Sequence, residues 1–382
     1  MTTGINLRNI GKQNTCNVLK LLMMEKSLSR KELATKLGLT KMTVGNIVNH
    51  LKQEGLIEEE KRESETNSIG PKPTAVKIAS RRILAVGVHI TPKKITTMLV
   101  DVVDGILYKE TQSVDNLESN QQVLYVIKDM VATILDKYKD YSTYLVGIGV
   151  TYNGVVDTVE GKITFCINQI DKEELNVKSV LTKRFNLPVV VASEVEGAAI
   201  AELVFGTKLG DSRIYYMNLS NSIRGGFING YTINAGTHGM SGEVGHMSIK
   251  YDGPLCLCGS RGCYHLFGSV DVLLKKSECH SIEELHLKLQ DRDPLSLRTM
   301  EDFIQVTTSV CSNIVHLYDP AYILIGGEIA KLDGSIFRKI ERLLNERIIF
   351  RKERYVKVIR SHVKEKANEI GAAMVVLQEL FV

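Results

Sequence analysis

The chain has 382 residues, 44% hydrophobic, 24% charged, 6% aromatic and without tryptophan, which excludes disordered, collagen-like and membrane-spanning classes and allows two or three domains. There is no apolar run long enough to span a bilayer and no apolar leader at the N-terminus, so a soluble cytoplasmic protein is expected, and its seven cysteines argue against a disulfide framework. The net charge of +4 is unevenly spread: nine Lys and Arg against two acids between Met1 and Gln53 give +7, leaving −3 for the rest, which points to a polyanion-binding head unless the charges only form a solvated face.

The first predicted element runs from Asn14 to Met24, where Val18, Leu19, Leu21, Leu22 and Met23 recur at helical spacing. A second helix starts at Ser29, since Ser-Arg-Lys-Glu places a hydroxyl at the N-cap and Glu32 at N3; Leu33, Ala34 and Leu37 form its apolar face. After the Gly38-Leu39 turn, Thr40 caps a third helix with Val44, Ile47, Val48 and Leu51 at i, i+3, i+4 and i+7, ending at Gly55. The spacing is that of a helix-turn-helix. Its third helix offers Lys41, Thr43, Asn46, Asn49 and His50 opposite the apolar stripe, side chains of the length and chemistry that meet base edges or phosphates in a major groove, and Arg30 joins them as a candidate DNA contact.

Leu56-Ile57 then begins a strand, Glu58 to Glu65 reads as a polar loop, and Gly70-Pro71-Lys72-Pro73 precedes a second strand from Ala75 to Ile78. Such a hairpin is a wing, with Lys72 placed for an adjacent minor groove and the acids required to point away from phosphate. From Ile83 the texture changes. Apolar strands such as ILAVGVHI, YLVGIGVTY, IYYMNLSN and YILIGGEI alternate with helical stretches, among them Val123 to Tyr138 and Met300 to Tyr318, so the body belongs to the α/β class, in two lobes.

Cys256, Cys258 and Cys263 in a C-x-C-x4-C spacing follow His246 by ten positions, while Cys16, Cys166, Cys279 and Cys311 are scattered singly. One imidazole and three thiolates form a closed tetrahedral set suited to a structural Zn2+ without an open coordination position; the alternative is a group of free buried thiols. A metal there would hold His246 and its neighbour Glu243 rigid.

The run Gly242-Glu243-Val244-Gly245-His246 followed by Cys256-Leu257-Cys258-Gly259-Ser260-Arg261-Gly262-Cys263 resembles the signature of the ROK family (repressors, open reading frames, kinases). With the winged head in front, the chain is similar over essentially its full length to the sugar-responsive repressors of that family, of the xylose or N-acetylglucosamine regulator type. The resemblance implies a two-lobed, actin-like sugar-kinase fold behind a winged helix-turn-helix, with a C-terminal helix, Asn368 to Leu380, returning to the first lobe. The corresponding boundaries are 1–80 for the DNA-binding head, 81–195 plus 365–382 for the first lobe, and 196–364 for the second lobe with the zinc motif.

Kinases of the family carry, by the same resemblance, an Asp and a glycine turn after the first body strand, a second glycine-rich phosphate turn, and an Asp acting as base. This chain has His89 for the first acid, Thr91-Pro92 at the first turn, Ser220-Asn221-Ser222-Ile223-Arg224 at the second, and Glu194 at the base position. Lost glycines cannot let backbone amides close around phosphate, so no catalytic residue is assigned, and Glu194 is read as a hydroxyl acceptor. The resemblance further implies a sugar contacted by Asn168, Glu194, Glu243 and His246, with His265 standing for a glutamate and Asn153 for a proline in the family pattern. The expected function is a sequence-specific DNA-binding regulator, a repressor of carbohydrate-utilisation genes released by a sugar, acting on double-stranded operator DNA as a homodimer or dimer of dimers. Two alternatives stay open: an ATP-dependent sugar kinase with an appended head, and a repressor whose pocket has lost its ligand and answers a protein partner.

Overall fold

The computed structural model describes residues 13–61, 74–167, 171–206, 209, 213–229, 232–234, 236–237, 240–363 and 366–380. The head opens with α1 (Gln13–Glu25), β1 (Leu28–Ser29), α2 (Arg30–Leu37) and α3 (Lys41–Gln53), followed by β2 (Ile57–Lys61) and β3 (Thr74–Ile78). Local chemistry sets its boundaries. The Ser29 hydroxyl accepts from the Glu32 N–H at 3.2 Å and the Glu32 carboxylate from the Ser29 N–H at 2.6 Å, completing the capping box. Gly38 ends α2 at φ 64°, a left-handed conformation in which a Cβ would be strained. The Thr40 hydroxyl then accepts from the Thr43 N–H at 3.1 Å and starts α3. Val18, Leu33, Val44, Val48 and Leu51 are wholly buried between the three helices, whereas Leu37 and Ile47, expected inside, are half-buried.

The wing differs from its sequence reading. The strand continues through the acids to Lys61, with Glu58, Glu59 and Glu60 paired in register with Lys77, Val76 and Ala75 in an antiparallel sheet of order β1-β3-β2. A run of glutamates reads as a loop, but Lys77 bonds Glu60 at 2.7 Å and Glu58 at 3.1 Å across the strands and neutralises the repulsion that would open it. Lys72 lies outside the described residues.

Two compact units make up the chain, 1–210 with 368–382 and 211–367. In the first, beyond the head, β4 (Leu84–Ile90), β5 (Lys94–Asp101) and β6 (Gly105–Ser113) form an antiparallel meander, and α4 (Asn120–Lys137) leads to β7 (Leu145–Tyr152). A small sheet of β8 (Val155–Asp157), β9 (Lys162–Ile167) and β10 (Asp171–Leu175) precedes α5 (Val177–Phe185), β11 (Val189–Ser193) and α6 (Glu194–Phe205). The main sheet has the order β11-β7-β4-β5-β6, with β11, β7 and β4 parallel. Its strands β4 and β7 are buried along their whole length because both faces are covered, one of them by the core shared with α4 and α5.

The second unit contains β12 (Arg213–Leu219), β13 (Ile223–Asn229) and β14 (Thr232–Ile233), then α7 (His265–Gly268), α8 (Val270–Ser277), α9 (Ile282–Gln290) and α10 (Pro294–Tyr318), and finally β15 (Tyr322–Gly326), α11 (Gly334–Arg347) and β16 (Lys357–Arg360). Its sheet order β14-β13-β12-β15-β16 repeats the first unit's plan: an antiparallel meander of three strands, then two strands parallel to the first.

The chain returns to the first unit through α12 (Ala367–Met374) and a 3-10 turn over Val375–Leu380. This segment lies on the sheet where glycines clear a path. A Cβ on Gly87 would fall 2.6 Å from the Ala373 nitrogen, and one on Gly149 2.0 Å from the Ala372 oxygen. Gly371 meets Gly197 of α6 backbone to backbone, a Cβ on Gly371 falling 2.2 Å from the Gly197 carbonyl carbon. That contact places α6 with the first unit, so the break falls at 210 and not at the 195 expected from sequence.

Candidate functional site

On α3, Lys41, Asn46, Asn49 and His50 are exposed opposite the buried stripe, and Met42, 78% exposed, stands among them. Thr43 is half-buried, its hydroxyl 2.9 Å from that of Thr40, so it acts first in the helix cap. Arg30 is a bridge: it donates to the Asn49 side-chain oxygen and to Glu59 of the wing, each at 2.8 Å, while Lys52 donates to the other Glu59 oxygen at 2.8 Å. Arg30, and next Lys52, hold the Glu59 carboxyl below the usual carboxylate range. The wing acids are thereby answered within the head: Glu59 by Arg30 and Lys52, Glu58 and Glu60 by Lys77.

In the second unit, residues 248–263 fold into a knuckle. Isolated bridges pair Ser248 with Cys263 and Leu255 with Arg261, and the Cys256 N–H donates to the Ser260 carbonyl at 2.8 Å. Four donor atoms, from His246, Cys256, Cys258 and Cys263, lie within 4.8 Å of one another. The Cys258 and Cys263 sulfurs are 3.6 Å apart, near the ~3.8 Å edge of a tetrahedron with ~2.3 Å zinc–sulfur bonds, so the donor set and its spacing fit a structural Zn2+. The thiols are unequal: a hydrogen bond from the Ser260 backbone, then the Cys256 side chain, holds Cys258 down to about 7, whereas burial pushes Cys263 up to about 12. Gly242, at φ 83°, lets the 240–245 loop lie on β13, where a Cβ would fall 1.7 Å from the Gly225 oxygen.

That loop brings Glu243 onto the Arg224 guanidinium in a close ion pair. Next to the cluster, the His265 ring stands 5.0 Å from that of His246 and its Nε2 4.0 Å from the Cys256 sulfur, and burial followed by the neighbouring His246 holds it below the ordinary imidazole range. Glu243, His246 and His265 are thus assembled in one unit, with Arg224 as a member that sequence spacing does not reveal. In the first unit, Glu194 is buried at the start of α6, where the helix dipole favours its charge, and it accepts from the Asn368 side-chain amide. Asn153 is half-buried after β7, its N–H on the Ile90 carbonyl at 3.1 Å, and Asn168 lies outside the described residues.

Side chains of both turns read against the kinase pattern accept from backbone amides. The Thr91 hydroxyl accepts from the Lys94 N–H at 3.1 Å and the Lys93 N–H at 3.4 Å. In the other turn, Asn221 accepts from the Asp271 N–H at 2.9 Å, Ser220 from the Glu328 N–H at 3.2 Å, and the Gly225 N–H goes to the Gly242 carbonyl at 2.7 Å.

A winged helix-turn-helix DNA-binding profile matches residues 13–58, and the ROK family profile matches residues 85–379. The xylose repressor of Bacillus spizizenii is 26% identical over 375 residues, 97% of this chain and 96% of that one. Among solved structures, a ROK family transcriptional regulator, a homologue of the Escherichia coli MLC protein, superposes with a TM-score of 0.76 at 21% identity, covering 97% of this chain and 96% of its own. A ROK family glucokinase from Streptomyces griseus, solved with glucose and AMPPNP, gives 0.64 at 22% identity and covers 77% of this chain and 99% of its own. A winged head followed by two repeats of one sheet plan, a knuckle that gathers three cysteines and a histidine, and a profile match over most of the chain lead to one assignment: the protein belongs to the ROK family.

Proposed function

We propose that the protein is a sequence-specific DNA-binding transcriptional regulator, a repressor of carbohydrate-utilisation genes that a sugar releases from its operator. The observation that carries this reading is the outer face of α3, where Lys41, Asn46, Asn49 and His50 stand exposed while the wing acids Glu58, Glu59 and Glu60 are ion-paired. Similarity along nearly the whole chain to a xylose repressor supports the repressor sense. Glu194, Glu243, His246, His265 and Asn153 are the candidate sugar contacts, since carboxylates, amides and imidazoles hydrogen-bond vicinal hydroxyls. Zn2+ at His246, Cys256, Cys258 and Cys263 stabilises the knuckle that His246 and His265 flank, and a homodimer would match a two-half-site operator. Metal analysis of purified protein should find one zinc per chain, lost in Cys263→Ser together with several degrees of thermal stability.

The Thr91-Pro92 turn supports a regulator without kinase activity, because its Lys93 and Lys94 amides are taken by the Thr91 hydroxyl and Pro92 has no N–H to offer a nucleotide phosphate. A mobility shift on the upstream region of its own operon, repeated with D-xylose, N-acetylglucosamine and other aldoses, tests the reading: binding that a sugar weakens is expected, and no operator binding refutes it. ATP turnover over the same sugars that disappears in Glu194→Gln would establish the kinase instead.

A further inference from the structure

α6 is an unusual helix for its position. From Glu194 to Val204 every residue but Glu196 is buried, so it has no solvent face and is gripped on all sides. Its first residue, Glu194, is tied to Asn368 of α12, and one turn on, Gly197 meets Gly371 backbone to backbone. Glu196, the one position outside the grip, is bonded by Gln378 at 3.2 Å. Its last residue, Phe205, ends under the head: α1 packs against α6, and the Lys26 ammonium lies 5.1 Å from the centre of the Phe205 ring. Lys26 is the residue that stops α1, at φ 66°, and its ammonium also reaches the Val102 carbonyl at 3.5 Å, at the end of β5.

We infer that α6 is the rod through which a polyhydroxy ligand at Glu194 shifts the DNA-binding head, with Lys26 and Phe205 as the positioning residues at its far end; this rests on the ligand-released repressor reading above. Twelve helical residues span about 18 Å, and a close-packed helix moves as a body, so a displacement at its first turn arrives at its last. Shifts of about 1–2 Å are the usual scale for such helices at an interface. A ligand hydroxyl that takes the Glu194 carboxylate from Asn368 would loosen α6 from α12, and the shift would change the seat of α1 under the recognition helix. Coupling of this kind is reciprocal, so it must be readable in DNA affinity even without ligand.

The test is a double-mutant cycle on the full-length protein, by fluorescence anisotropy on a duplex that the wild-type chain enriches from a random library. Lys26→Met and Glu194→Gln should each change the dissociation constant at least threefold, and the double variant, which interrupts the same rod twice, should do no more than the larger single change, falling at least threefold short of the product of the two factors. Sites this far apart otherwise act independently. A double variant within twofold of the product overturns the rod while leaving the repressor reading intact; a wild-type chain that enriches no duplex overturns both. Amide hydrogen exchange across α1 gives a second readout that needs no DNA. It should change in Glu194→Gln, and identical exchange in the two proteins overturns the proposal.

Discussion

His89 shows how one substitution alters the chemistry of a sheet. Where kinases of the family carry an acid, this chain buries an imidazole, its Nδ1 3.1 Å from the Thr151 hydroxyl. Burial, helped by Lys94 and Lys109 and opposed by Glu369, lowers its pKa to about 4 from 6.5. The native state therefore resists protonation that the unfolded chain accepts. The contribution of His89 is fully present above pH 6.5 and is lost as the pH falls from 6.5 to 4, by roughly 3 kcal/mol at most. Urea midpoints at pH 7.5, 5.5 and 4.5 should fall more steeply for the wild type than for His89→Gln, which keeps a polar group beside Thr151 but does not titrate in this range. At this scale the sequence was partly readable. The cluster of His246, Cys256, Cys258 and Cys263 follows from spacing, since its members lie within eighteen residues and only one geometry suits their donors. The bond from Asn368 to Glu194 joins residues 174 positions apart, and that from Arg30 to Asn49 crosses two helices; neither has a local pattern to betray it.

Among elements, the readable ones are those whose ends are chemically marked. Ser29 with Glu32, Gly38 and Thr40 fix both ends of α2 and the start of α3 to the residue, because caps act within one turn, whereas α3 stops at Gln53, two residues before the Gly55 expected to end it. The wing was misjudged at Glu58 because the partner that makes a strand of it, Lys77, lies on another strand. The place of α6 was hidden for a related reason: it depends on Gly197 meeting Gly371, and a lone glycine in a helical run reads as a blemish. That contact also sets a strong requirement. Gly371→Ala would drive a methyl group into the α6 backbone, and overpacking of this severity should cost about 3 kcal/mol, visible as a lower thermal midpoint of the full-length protein.

For the whole molecule, the +7 counted over residues 1–53 is only partly available to DNA, since Arg30 and Lys52 are spent on Glu59 of the wing. Glu25 is bonded to Lys36 and Glu32 serves the capping box, while Lys31 and Lys41 have no ion pair among the described residues. Lys41→Ala should weaken binding to all duplexes alike and reduce the slope of log K against log salt by about 0.9. Asn46→Ala should leave that slope unchanged and relax discrimination at one base pair by about 1–3 kcal/mol. Titrations at four salt concentrations separate the two roles.

The path of α12 governs when the protein becomes regulable. The face of β4 and β7 that carries Gly87 and Gly149 is covered by Ala372 and Ala373, which leave the ribosome only after the whole second unit. At 5–20 residues per second, roughly ten to thirty seconds pass between the synthesis of α6 and that of the segment that locks it. The three helices and the wing of the head, complete by residue 78, have all emerged well before that. During translation the nascent chain therefore completes its winged helix-turn-helix long before α12 can pack against α6.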